Sequence, residues 1–334
     1  MKDIYIYPPY PPLDREMIRN PYVENLSEGL LHYFNVLTYR RFVEVSIIDL
    51  CKSVFKMDII LFNWIEDLGY RNKGGAQFLV FILTFIVMKI RRVKIIWFYH
   101  NIHPHLGESF ISKLIKRILF KYSDLIIVHS TLAYDYCDKR TKSKLVNLIH
   151  PNSDINTRNL LHKKSNYDIF IWGTIEPYKG IVPFLEFLKD KEIMYKIKVI
   201  GSCSNKEYFN KLKSYETNLI SIENRCPSFE EIEDYINMSD FIVFPYISNA
   251  FSSSGALFDT LAFKGNVIGP NKGVFSDLSK MDLCFVFDTY EDIITHIHNK
   301  KIIDNNLIME FVNTNTWEGF CKSVYGNIIH LYRC

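Results

Sequence analysis

Residues 240–270 read DFIVFPYISNAFSSSGALFDTLAFKGNVIGP, and how this stretch folds decides the fold of the chain. Residues 241–244 are an apolar run suited to a buried strand, and Pro245, with no N–H for a ladder, ends it. Ser252-Ser253-Ser254-Gly255 leads into 256–264, where apolar residues recur at helical spacing. Gly265 stops that helix and Val267-Ile268 opens another strand. A strand, a loop of small residues and a helix N-terminus make an anion site, because orphan N–H groups and the helix dipole point at one spot. Asp259, about one turn into the helix, is on the side able to face a ribose. A plain βαβ unit whose serine only caps the helix reads the same residues equally well.

On the N-terminal side of this stretch the same alternation repeats. Strands are expected at 168–172, 197–201 and 219–222, with helices following Gly180 and over 204–215 and 229–238. Beyond it come a strand at 284–287, a helix at 290–299 and a long helix at 317–332. The first half reads as strands at 3–7, 42–48, 58–63, 94–99, 124–128 and 145–149, with helices at 22–34, 76–90, 108–121 and 132–137. Buried strands alternating with helices imply parallel sheets joined by right-handed crossovers. The pattern breaks at HPNSD (150–154) and restarts at 168. The expected fold is therefore α/β, with two Rossmann-like doubly wound domains at 1–155 and 156–315, and a terminal helix at 316–334 packing back on the first.

A chain of 334 residues suits two domains of ordinary size, and 48% hydrophobic with 23% charged residues is globular. The net charge of +3 hides an asymmetry. Residues 1–165 carry 24 Lys and Arg against 15 Asp and Glu, the remainder 16 against 22. A basic half beside an acidic half points to different partners. The seven cysteines (51, 137, 203, 226, 284, 321, 334) include no CxxC pair, the usage of reduced thiols in a cytoplasmic protein. The N-terminus, MKDIYIYPPYPP, lacks the apolar core of a signal peptide. The apolar stretch 78–88, only 11 residues, is too short to span a bilayer and reads as a buried or interfacial helix.

Four matches, in order and spacing, make the chain resemble the GT-B glycosyltransferases, most like the family 4 (group 1) enzymes of bacterial polysaccharide synthesis. WGTIEPYKG (172–180) resembles the family's strand, glycine, loop and lysine-glycine signature. RCPSFEEIEDYINMSDFIVFPY (225–246) resembles its base loop, helix and strand ending in proline. The serine-glycine loop with DTLAFKGNVIGP (259–270) stands at its donor-binding helix, and HPNSD at its hinge. The likeness covers 150–290 well and the first half only as a pattern of strands. It implies two Rossmann-like domains facing each other across a cleft, the first binding an acceptor and the second a UDP- or GDP-linked sugar. The family's retaining members carry two glutamates eight apart. Here Asp259 takes the second position and Phe251 stands at the first, which leans the expectation toward inversion.

The implied chemistry needs a diphosphate clamp, a ribose contact and a base for the acceptor's proton. Lys179 would supply a charge and Thr174 a hydroxyl, both in the loop that follows the strand at 168–172 and begins at Gly173. Ser253, Ser254 and Gly255 would supply helix N-terminal donors, Asp259 the ribose contact, and the loop at Pro227 the frame for the base. Glu66, Asp67 and His100 all follow strands and are the candidate bases; Glu66 and Asp67 are adjacent and point apart, so one of them is expected to serve. His100, His103 and His105 have metal-like spacing without an evident carboxylate partner. No Asp-x-Asp motif supplies paired carboxylates, so metal-independent transfer with no cofactor is expected. The basic run 89–94 and helix 108–121, beside the apolar helix, fit an enzyme held peripherally on the inner membrane face near a glycan or polyprenyl-linked acceptor. Aromatics are not interleaved with the basic residues as a nucleic-acid surface requires. A sugar-nucleotide epimerase of the same fold, or a non-catalytic partner subunit, are the alternative readings.

Overall fold

The computed structural model describes residues 1–9, 21–41, 43–71, 73–100, 109–153, 165–247 and 254–333. The chain forms two compact units, one made of Met1–Ile149 with Trp317–Cys334 and the other of His150–Thr316.

The first unit is built on six strands, β1 (Asp3–Tyr7), β2 (Asn35–Val36), β3 (Ile59–Asn63), β4 (Lys94–Phe98), β5 (Leu125–Val128) and β6 (Leu145–Asn147), in the order β2-β1-β3-β4-β5-β6. All pairs are parallel. The strands are apolar except at their ends because helices cover both faces, and successive side chains enter opposite layers. Tyr5, Ile60, Phe62 and Trp97 pack in one layer with Leu50, Phe81 and Leu119 from helices Ser46–Ser53, Gly74–Ile90 and Phe110–Tyr122. Ile4, Leu61, Ile96 and Phe98 enter the other, against helices Tyr22–Leu30 and Trp317–His330.

The second unit repeats the plan with β7 (Tyr167–Trp172), β8 (Ile197–Gly201), β9 (Ile220–Asn224), β10 (Ser239–Val243), β11 (Val267–Pro270) and β12 (Phe285–Phe287). Their order is β12-β11-β10-β7-β8-β9, again all parallel. One face is covered by helices Ile181–Asp190, Lys206–Lys213 and Tyr290–His298, whose Phe184, Leu212 and Ile293 meet Ile169, Val199 and Val243.

The strand expected at 42–48 is a correction. The short edge strand β2 lies earlier, at Asn35–Val36, and residues 46–53 form a helix. Buried Ile47, Leu50 and Val54 follow helical rather than alternating spacing, and buried Asp49 accepts a 2.8 Å hydrogen bond from the Tyr5 hydroxyl. A helix at Asn305–Thr314 was not anticipated; it buries only Ile308 and Phe311. Among the described residues no helix is long and apolar enough to cross a membrane.

Candidate active site

In the second unit, strand order turns between β7 and β10. β7 leads outward to β8 and β9, and β10 outward to β11 and β12. The crevice at the carboxyl ends of such a pair is where doubly wound sheets take ligands. Trp172 ends β7, and Gly173 turns the chain with φ +103°, which a side chain would resist. The loop closes through the short turn Pro177–Lys179 onto Gly180, at φ +67°. A Cβ on Gly180 would stand 2.1 Å from the Pro245 carbonyl oxygen, so glycine alone lets the β7 loop touch the end of β10. The Ile247 N–H donates to the Tyr178 carbonyl at 3.1 Å and fastens the two loops together.

This clamp fixes Lys179. The side chain is 8% exposed, and its amine lies over the Tyr246 ring, 5.4 Å from the centroid. No hydrogen bond or ion pair engages the amine among the described residues. Burial lowers its pKa, with Tyr178 and Glu176 pulling the other way. A Cβ placed on Gly173 would lie 3.3 Å from Lys179 Nζ and 3.7 Å from the Ala256 Cβ. Gly173, the lysine amine and the first turn of helix Gly255–Ala262 therefore share one small space. That helix starts at Ser254 with no side-chain cap, and a side chain at Gly255 would meet nothing within 4 Å. Its register is held from inside: Trp172 Nε1 donates to Thr260 Oγ1 at 2.9 Å, and Thr260 Oγ1 donates to the Ala256 carbonyl at 2.7 Å. A buried ammonium beside an uncapped helix N-terminus is an arrangement for an anion.

The other residues expected here divide. Thr174 follows Gly173 and is exposed. Ser253, like Phe251, lies outside the described residues. Asp259 is half-buried on the same helix; burial pushes its carboxyl up to about 6 while the Ser153 side chain pulls it down. Pro227 lies beyond the end of β9, separated from β7 by β8, about 10 Å across the sheet. Its loop is held rigid by Arg225, whose guanidinium donates to both Glu231 oxygens at 2.8 and 2.7 Å and to Glu223 at 2.7 Å. A capping box between Ser228 and Glu231 continues the brace.

In the first unit the three candidate bases part company. Glu66, in the turn Ile65–Tyr70, is wholly buried, and neither oxygen has a hydrogen bond of ordinary geometry among the described residues. Burial raises its pKa to about 7, against partial opposing pulls from its own backbone N–H and the Lys116 ammonium. Asp67 is half-buried. His100 ends up in a group that the sequence did not announce. Its Nε2 meets Asn63 Oδ1 at 2.9 Å, and Asn63 Nδ2 donates to the Tyr7 carbonyl at 3.1 Å. That fixes the amide, so His100 Nε2 is the donor. The Trp64 ring stacks on His100 at 4.4 Å and Tyr22 meets it edge-on at 4.9 Å. The Tyr22 hydroxyl is 3.0 Å from His129 Nε2, and His129 Nδ1 is 2.8 Å from the Leu148 carbonyl. A carbonyl only accepts, so Nδ1 carries the proton and Nε2 accepts from the tyrosine. His129 directly follows an apolar strand, much as His100 does, and that spacing was its one signal in the sequence.

Among the described residues no group of three or more His, Cys, Asp or Glu is placed to hold a metal ion; His103 and His105 lie outside them. No family model and no curated protein matches the sequence. Solved structures do match. The chain is similar to an alpha,alpha-trehalose-phosphate synthase (UDP-forming) from Burkholderia vietnamiensis, with a TM-score of 0.61 at 10% identity over 99% of this chain and 98% of that one. It is similar to AviGT4, a glycosyltransferase involved in avilamycin A biosynthesis, with a TM-score of 0.58 at 10% identity over 99% and 97%. A UDP complex of S. aureus MnaA matches with a TM-score of 0.53 at 12% identity, again over 99% and 97%. With its two six-stranded parallel sheets, the chain has the GT-B fold.

Proposed function

We propose that the chain is a glycosyltransferase that moves a hexose from a nucleoside-diphosphate donor to a hydroxyl of a glycan or polyprenyl-linked acceptor. The observation that carries this reading is Lys179, a nearly buried ammonium with no carboxylate partner among the described residues, set against Gly173 and the uncapped start of helix Gly255–Ala262. Left alone, such a charge costs stability; a bound diphosphate would pair it and complete the helix terminus. In the transfer, the leaving diphosphate gains charge as the sugar departs, and Lys179 with the helix N–H groups would stabilise that charge most where it is greatest. Asp259 would accept the ribose hydroxyls, and the loop at Pro227, braced by Arg225, would frame the base. The proton of the acceptor hydroxyl is assigned to Asp67 or His100; Glu66 is set aside because it has no exposed atom surface. One similar structure is described as a UDP co-structure and another as a UDP-forming synthase, which favours UDP as the carrier.

With Phe251 at the first acidic position, we assign the reaction to the inverting class, metal-independent, in surface polysaccharide or glycolipid synthesis on the cytoplasmic side of the membrane. The deciding experiment is a thermal-shift screen with UDP, GDP, ADP and CMP, then turnover of the matching sugar nucleotide in EDTA, with the product anomer read by NMR. One nucleoside diphosphate should raise Tm, and Lys179→Met should abolish the rise. A screen in which no nucleotide raises Tm refutes the reading. Formation of an epimeric sugar nucleotide without any acceptor would point to an epimerase instead.

A further inference from the structure

We propose that the first unit docks on an anionic lipid surface through the outer face of helix Gly74–Ile90 and the helices on either side of it. The inner face of that helix is committed to the core through Phe81, Phe85 and Met88. Its outer face carries Leu79, Leu83, Ile86 and Ile90, exposed by 60, 57, 50 and 75%. Spacings of four, three and four residues put them in one line along the helix. A continuous aliphatic stripe of this kind is unlike the scattered exposed apolar residues of an ordinary surface.

The charge around the stripe identifies its partner. Helix Gly74–Ile90 contains no acidic residue and runs out into exposed Lys89, Arg91 and Arg92. Neighbouring helix Phe110–Tyr122, also free of acids, lines up exposed Lys113, Arg117 and Lys121 and adds Phe110 at 78% exposure. The two helices touch where Lys89 Nζ donates to the Tyr122 carbonyl at 3.3 Å. On the other flank, helix Ser46–Ser53 and the turn after it present Lys52, Lys56 and Phe55, the last 70% exposed, while Asp49 is buried. Arg91 lies over the Phe55 ring, 5.7 Å from its centroid, and so joins that flank to the helix.

Aliphatic groups set among cations suit a bilayer surface, where side chains enter the acyl boundary while ammonium and guanidinium groups meet phosphates. A second copy of the chain fits poorly. A two-fold pairing through this stripe would set one row of cations against another. The helix is used lying on the membrane, not crossing it.

Docking is independent of sugar transfer, so it is measured on the full chain without nucleotide or acceptor. Flotation with phosphatidylcholine vesicles, with and without phosphatidylglycerol, gives the partition. Binding is expected only with phosphatidylglycerol and should weaken as salt rises. Leu83→Glu/Ile86→Glu should cut it by at least about tenfold, and Lys113→Ala/Arg117→Ala/Lys121→Ala by about fivefold per cation. If the glutamate pair unfolds the protein, Leu83→Gln/Ile86→Gln gives the same comparison. Equal binding to neutral vesicles, no binding, or binding indifferent to these substitutions overturns the proposal. So does sedimentation velocity showing a dimer that the stripe substitutions dissolve, because the face would then belong to a second copy.

Discussion

Lys179 in the second unit and Glu66 in the first are both buried ionisable side chains without an ion pair among the described residues, yet their surroundings differ in kind. Lys179 keeps a sliver of exposure, sits over an aromatic face and shares its space with backbone at a strand-order reversal. Glu66 is sealed in the turn Ile65–Tyr70, and burial, with a smaller push from Asp67, carries its carboxyl to about 7. The first is an ammonium set where an anion can reach it. The second is an acid that escapes the cost of burial by keeping its proton. Burial of a charge marks a ligand site only when something can come to it.

Four substitutions can break or sharpen that comparison. The largest effect is expected at Lys179→Met, which should lower kcat/KM by about a hundred- to a thousandfold. The same change should raise the Tm of the ligand-free protein, since it removes a buried charge that has no ion pair among the described residues. Loss of activity with a lower Tm would make the lysine structural. Next is Glu66→Gln. The folded carboxyl near 7 holds a proton that the unfolded chain, near 4.5, releases. The wild type therefore has its full stability below about 4.5 and loses it as pH rises to about 7. Urea unfolding should show Glu66→Gln more stable by about 3 kcal/mol at pH 8, the gain shrinking toward zero as pH falls to 4.5, with turnover unchanged. A collapse of turnover with stability intact would return Glu66 to the chemistry.

Gly180→Ala should follow. It sets a side chain at positive φ against the Pro245 carbonyl, costing about 1–3 kcal/mol in unfolding experiments, and it should loosen nucleotide binding by freeing Lys179. Wild-type stability would mean that the two loops are not clamped. Asp259→Asn is the mildest. Asp259 stands between the two extremes, with a hydroxyl partner and a carboxyl near 6. Nucleoside-diphosphate affinity should rise several-fold in wild type as pH crosses 6 and the carboxylate forms, and stay flat in the variant by calorimetry. A wild-type profile without that rise removes the ribose role.

The sheets were legible in the sequence because a parallel strand buried on both faces is an unbroken apolar run, as in 59–62 or 95–98. The Gly173 to Gly180 loop was legible because lysine and glycine follow such a strand. The contrast between Glu66 and Asp67 was not. The residues are adjacent and alike, and only the short turn Ile65–Tyr70 decides which one faces the core. The strand wrongly expected at 42–48 shows the same limit, since β-branched Val43, Val45, Ile47 and Ile48 favour a strand locally while Leu50 and Val54 complete a helical stripe. Tyr22 and His129 are 107 residues apart, and no local pattern pairs them.

Helix Trp317–His330 belongs to the first unit, although the whole second unit is translated before it. While the ribosome is still making residues 150–316, the layer containing Ile4, Leu26, Leu61 and Phe98 lacks the contacts of Phe320, Val324 and Ile328. The unit made first is thus the unit finished last. During that interval its uncovered face is the surface that a chaperone would need to shield, and a nascent chain stalled before residue 317 would be an aggregation hazard even with its second unit complete.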